Sequence, residues 1–246
     1  MEENTFLEHF RELRARLIKS AIAIMGCFIC LVYFSNDIYQ LLAEPLQIFL
    51  PKNSSMIATE VASPFLAPIK LTFFVSLLMS MPYFLNQVWG FIAPGMYKNE
   101  KKLSFLIMLS SLILFYLGIV FTYYLVLPLV FSFFIGSAPD GILIMTDISR
   151  YLDFVLSMMF AFSFAFEIPV LIFLLVWSGI STTEGLSKKR PYVIIGCFVV
   201  GMFLTPPDVI SQTLLAIPAW LLFEIGLLMA RLTVKRGRTT DYDSNQ

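Results

Sequence analysis

One histidine, His9, and three cysteines, Cys27, Cys30 and Cys197, leave little from which to build a metal or nucleophilic centre in a chain of 246 residues. All three cysteines sit inside apolar runs, so neither a disulfide framework nor an exposed zinc knuckle is expected. Cys27 and Cys30 have C-x-x-C spacing, but in a lipid-spanning helix that spacing carries no redox chemistry. The sequence has no His-Glu or Cys-His ligand pattern, no Gly-rich phosphate loop and no paired intramembrane Asp motif. These absences argue against metalloenzymes, nucleotide hydrolases and membrane proteases, and no cofactor is expected. Charge is scarce too: 14% of residues are charged, and 17 basic and 17 acidic residues cancel, which leaves no footprint for nucleic acid.

What the chain has in quantity is apolar surface. Hydrophobic residues make up 58%, 25 of them Phe, and the mean hydropathy is +0.81, so lipid is the solvent for most of it. Ile24-Met25-Gly26-Cys27 loosely imitates a lipoprotein cleavage site, but the apolar run continues to Phe34, and an uncleaved first helix is expected. Upstream, Thr5-Phe6-Leu7-Glu8 reads as a capping box opening a short surface helix with Phe6, Phe10, Leu13 and Leu17 on one face.

The apolar runs predict spans at Leu17 to Phe34, Leu71 to Ile92, Leu103 to Phe134, Tyr151 to Trp177, Tyr192 to Thr205 and Val209 to Ala230. The expected fold is therefore all-α: a polytopic integral membrane protein with six transmembrane helices and both termini cytoplasmic. That orientation places 14 basic residues inside against three outside, Lys52, Lys70 and Arg150, as the positive-inside rule requires. Residues 1–232 read as a single six-helix membrane domain and 233–246 as a disordered cytoplasmic tail. The longest outer loop, Ser35 to Lys70, suggests an amphipathic helix bent at Pro45. The fifth span reaches only about 21 Å, so with Thr205-Pro206-Pro207-Asp208 it should form a short hairpin with the sixth in locally thinned lipid.

Among polar residues, Glu167 in Phe166-Glu167-Ile168-Pro169 is the most conspicuous, since a carboxylate inside a span needs a partner or a proton. It reads as a contact for a partner helix or a proton relay, or as an internally paired structural acid. Pro169 should kink the same helix. Glu224 is expected near the inner interface, either as a hydrated acid beside Arg231 or as a partner contact. Asp153 and Asp208 read as interfacial acids on the outer side. A proton-coupled carrier using Glu167 is the alternative function, although the internal repeat usual in carriers is missing.

Six ordered pieces bring a family into view. They are His9 through Leu17, Val61-Ala62-Ser63-Pro64-Phe65, Gln87 through Tyr97, Phe166-Glu167-Ile168-Pro169, Lys188-Lys189-Arg190-Pro191-Tyr192 and Leu204-Thr205-Pro206-Pro207-Asp208. Together, from His9 to about Arg231, the chain resembles the TatC family of twin-arginine protein translocase subunits. The resemblance implies a non-enzymatic receptor in the bacterial inner membrane for twin-arginine signal peptides on folded cargo. It implies an oligomeric assembly with TatA and TatB-type single-span subunits, driven by the proton-motive force. By the same resemblance Glu12 and Glu100 contact the signal peptide, and Pro45, Phe91, Glu167 and Asp208 match further functional positions of the family. Arg14 and Phe91 are placed with the signal-peptide site, and Glu167, Pro45, Asp208 and Glu224 with partner or transport contacts. The first inner loop departs slightly: Lys101 and Lys102 follow Glu100 where the family often has arginine, which loses any bidentate role there.

Overall fold

The computed structural model describes residues 2–40, 57–92, 101–137, 146–204 and 209–243. In these residues the chain is helical, with α1 at Glu2–Leu31, α2 at Ser63–Ile92, α3 at Lys101–Phe121 and α4 at Leu127–Gly136. Then follow α5 at Ile148–Ala165, α6 at Ile168–Trp177, α7 at Thr183–Lys188, α8 at Arg190–Leu204 and α9 at Val209–Asp243. Five stretches are long and apolar enough to cross a membrane: Phe10–Gln40, Ser63–Phe91, Phe105–Gly136, Ile148–Trp177 and Gln212–Leu232. The chain is thus all-helical and polytopic. The predicted fifth span is present as a helix, but its apolar stretch, Arg190–Phe203, is shorter than the other five.

Backbone chemistry explains several boundaries. α2 opens at Ser63 with Pro64 behind it, where a missing amide costs nothing. Inside it, the hydroxyls of Thr72, Ser76 and Ser80 donate to the carbonyls of Pro68, Thr72 and Ser76 at 2.7, 2.7 and 2.8 Å. Spaced four apart, these buried groups are satisfied within their own helix, as a hydrocarbon solvent demands. α1 is continuous where a surface helix followed by a separate span was expected; no Pro or Gly interrupts the junction. The third span carries a π turn, Thr122–Val126, directly before Pro128. Proline cannot donate to the carbonyl four residues back, and one wider turn relieves the clash.

The kink expected at Pro169 is a full break. α5 stops at Ala165, Phe166 and Glu167 form a turn, and α6 restarts at Ile168 with Pro169 in its first turn. At the other end of the chain, α9 continues to Asp243, into the stretch expected to be a disordered tail. Once a long helix is nucleated, each further residue adds a hydrogen bond at little cost, and no proline interrupts residues 233–243.

The chain divides into two compact units, residues 1–112 with 134–156 and residues 113–133 with 157–246. In the first, α1 packs along α2, with Phe28 edge-on to Phe73 at 5.7 Å. In the second, α9 packs on α6 and α8 around Ile172, Leu186, Phe223, Leu227 and Ala230. Two glycines let backbones meet there. A Cβ on Gly118 would lie 2.8 Å from the Phe162 carbonyl oxygen, and one on Gly226 would lie 2.7 Å from Cα of Pro169.

Candidate functional site

Glu12 and Arg16, one turn apart on α1, form an ion pair. Arg16 donates to Glu12 Oε1 from Nη2 at 2.7 Å and from Nε at 3.0 Å. Its third nitrogen, Nη1, lies 3.5 Å from the Gln87 carbonyl near the end of α2. Gly90 makes this possible, because a Cβ there would come within 2.4 Å of Arg16 Nη1. The guanidinium therefore occupies space a side chain would fill, and it pins the middle of α1 to the C-terminal end of α2. Glu12 keeps 38% of its side-chain exposure, and both hydrogen bonds fall on Oε1. Arg16 makes no hydrogen bond to Oε2, which keeps its capacity to accept.

Phe91, next to Gly90, is half-buried at the same end of α2, and Arg14 is exposed on α1. Through Arg16, Glu12 is tied to the end of α2 that carries Phe91. Glu100 lies outside the described residues, as do Pro45 and Asp208.

Glu167 sits half-buried at the break between α5 and α6. Its backbone amide donates to the Phe164 carbonyl and its carbonyl accepts from Leu171, each at 3.0 Å, so the turn is held through backbone bonds. Its side chain does not cap α6. Pro169, two residues on, lies against Gly226 of α9, which fixes the break to the neighbouring helix.

The partner expected for Glu224 needs correction. Its two oxygens accept from Arg190 Nε and Nη2 at 2.6 and 2.7 Å, a bidentate pair across α8 and α9. Arg231 instead donates to Ser187 Oγ at 3.3 Å. Arg231 is seven residues along α9 from Glu224, about two turns or 10 Å away, whereas Arg190 meets it directly across the hairpin. The signal was present: Arg190 and Glu224 stand at equal sequence distance from Pro207, so equal hairpin arms place them opposite each other. Asp153 pairs with Lys70 of α2, both about half exposed.

The sequence of residues 8–218 matches the family model for the Sec-independent protein translocase protein TatC. The chain is 54% identical to the Sec-independent protein translocase protein TatC of Escherichia coli K12, over 96% of this chain and 91% of that one. With the protein of the same name from Azotobacter chroococcum the identity is 55%, over 92% of this chain and 89% of the other. The chain belongs to the TatC family.

A crystal structure of the twin-arginine translocase receptor TatC is similar at a TM-score of 0.84 and 35% identity, covering 92% of this chain and 99% of that one. Membership of the TatC family makes the chain a translocase subunit rather than an enzyme, and a multi-pass protein of the bacterial inner membrane.

One feature of this TatC-family chain was missed by sequence reasoning. Asp147 caps α5: Oδ1 accepts the amides of Ser149 and Arg150 at 2.9 and 3.0 Å. Oδ2 accepts the amide of Thr59 at 2.9 Å and also its hydroxyl. Beside it, Ile57 and Asp147 form a parallel bridge, with amides of Ile57 and Ile148 donating at 3.1 and 3.0 Å. Ser149 Oγ donates to Ser63 Oγ at 2.8 Å. The Thr59 hydroxyl, with backbone amides, holds the Asp147 carboxyl down at about 2. An aspartate directly before a helical run, followed by Ile-Ser, is a cap signal that could have been read.

Proposed function

We propose that the chain recognises the paired arginines of twin-arginine signal peptides where the N-terminal half of α1 meets the C-terminal end of α2, with Glu12 as one of two receiving carboxylates. The observation that carries this reading is the geometry of Glu12: Arg16 engages only Oε1. An incoming guanidinium therefore finds one open oxygen on an acid already partly neutralised. A single charge-assisted hydrogen bond contributes about 1.5–3 kcal/mol at best, less where exposed. Two arginines accordingly call for a second acid, and Glu100 of the loop after α2 supplies it. Phe91 offers apolar surface to the peptide, and Arg14 belongs to the same site.

The remaining assignments follow from the same reading. Single-span TatA and TatB-type subunits assemble with several copies of the chain, and the proton-motive force moves folded cargo. Glu167, Pro45, Asp208 and Glu224 serve those contacts. α8, tied to α9 through Arg190 and Glu224, crosses as a sixth, short span, which places both termini in the cytoplasm.

The test is a double-mutant cycle on purified protein, with Glu12→Ala and Glu100→Ala measured against peptides carrying Arg-Arg or a neutral pair. Each substitution should lower affinity about tenfold for the Arg-Arg peptide and leave the neutral peptide unchanged. Zero coupling at both acids in folded protein overturns the site.

A further inference from the structure

The second unit contains a cavity of about 360 Å³ with an almost wholly apolar lining. One wall is a stripe of α8 made by Val193, Gly196, Cys197 and Val200; α5 contributes Ala165 and α9 contributes Ala219 opposite. These residues lie in or beside apolar spans, so the medium available to fill the space is hydrocarbon. At about 30 Å³ for each water-sized group, the space holds roughly a dozen methylenes.

The same helical stripe ends in a cation. The amide of Val193 donates to the carbonyl of Lys189 at 3.1 Å, so Lys189 stands immediately before α8, one turn ahead of Val193, which lines the cavity. Lys188 and Lys189 are both exposed, and among the described residues no carboxylate pairs with either. Glu184, one turn before Lys188, is also exposed and remains apart from it. Arg190 is already neutralised by Glu224, but Arg231 reaches Ser187 and brings a third cation beside the lysines. Tyr192, 75% exposed, marks the headgroup level where an amphipathic ring is at home.

We propose that this cleft is a binding site for an anionic phospholipid, with its phosphate held by Lys188 and Lys189 and one acyl chain lying in the cavity along Val193 to Val200. The cationic mouth and the apolar interior match the two halves of such a lipid, and a bare partner helix would answer only the second. A lysine near the membrane surface strengthens an anionic headgroup's hold about fivefold, so the two together impose a preference over a zwitterionic lipid.

The experiment uses the full chain in nanodiscs containing a trace of phosphatidylglycerol or phosphatidylcholine with a diazirine in mid-chain. Crosslinks are mapped by peptide mass spectrometry. The phosphatidylglycerol probe should label the Val193–Val200 segment in preference to the phosphatidylcholine probe, and Lys188→Gln with Lys189→Gln should reduce that preference by up to about 25-fold, about fivefold for each lysine. Gly196→Leu supplies a second arm, because Gly196 lines the cavity and a Cβ there meets no heavy atom within 4 Å, which leaves room for added volume. It should abolish labelling of the segment by both probes while the thermal transition is kept. Equal labelling by the two probes, unaffected by the lysine substitutions, overturns the proposal. So does loss of wild-type labelling when a single-span partner subunit is added, which would make the cavity a helix seat.

Discussion

Arg16 carries a charge that two helices share. Its guanidinium holds Glu12 on its own helix and lies in the space that Gly90 leaves open on α2. Gly90→Ala places a methyl against the tip of a flexible side chain, so the arginine moves and the backbone stays. Thermal stability should change by less than about 0.5 kcal/mol, while affinity for a twin-arginine peptide falls several-fold. Titration calorimetry alongside a melting curve separates the two effects. Asp147 gives a pH prediction of definite sign. Its carboxyl is lowered from 3.8 to about 2 in the folded chain, so its stabilisation is complete above the unfolded value and is lost as pH falls through the folded one. The stability difference between the native chain and Asp147→Asn should be constant from neutral pH to about 4 and shrink between 4 and 2.

Among the elements, the break at Glu167 is the most consequential, and its position depends on Gly226. A Cβ on Gly226 would meet Cα of Pro169 at 2.7 Å and Ile172 Cδ1 at 2.9 Å, so backbone must shift. Gly226→Ala should destabilise by about 1–3 kcal/mol in detergent-melting experiments. Gly26→Ala, with no heavy atom within 4 Å, is the control and should be neutral or slightly stabilising. A kink was legible because Pro169 removes an amide at a fixed place, a local rule, whereas the two-residue turn at Phe166 and Glu167 was not. The π turn before Pro128 has the same cause but was not read, since widening one turn leaves no trace in the hydropathy of the run. The partner of Glu224 was misread because a tertiary contact depends on where two hairpin arms meet, and proximity along one helix favoured Arg231. For Glu12 the acid was found through a motif, whereas its pairing with Arg16 and the role of Gly90 emerge only when α1 and α2 are packed.

For the whole molecule, helix number and orientation are one question. With α8 crossing, both termini share the cytoplasm; without it, they lie on opposite faces. In a chain stripped of native cysteines, an impermeant thiol reagent applied from outside should leave cysteines introduced at Asn99 and in the C-terminal tail unlabelled. Labelling of the tail alone would leave five spans. Hydropathy alone already gave an all-helical membrane protein, because a lipid solvent allows few alternatives. The division into two units was not legible, since each unit is assembled from segments far apart in sequence, residues 1–112 with 134–156 and 113–133 with 157–246.

The bridge between Ile57 and Asp147 also sets an order of events during synthesis. Its two strands of backbone are separated by α2, α3 and α4, so nothing near Ile57 can engage Asp147 until the ribosome has delivered all three and threaded both ends to one face. The Thr59 amide and hydroxyl, and the Ser63 hydroxyl that accepts from Ser149, wait for the same moment. The segment entering α2 is therefore among the earliest emplaced by the insertion machinery and among the later ones to be locked, a maturation step timed by chain elongation.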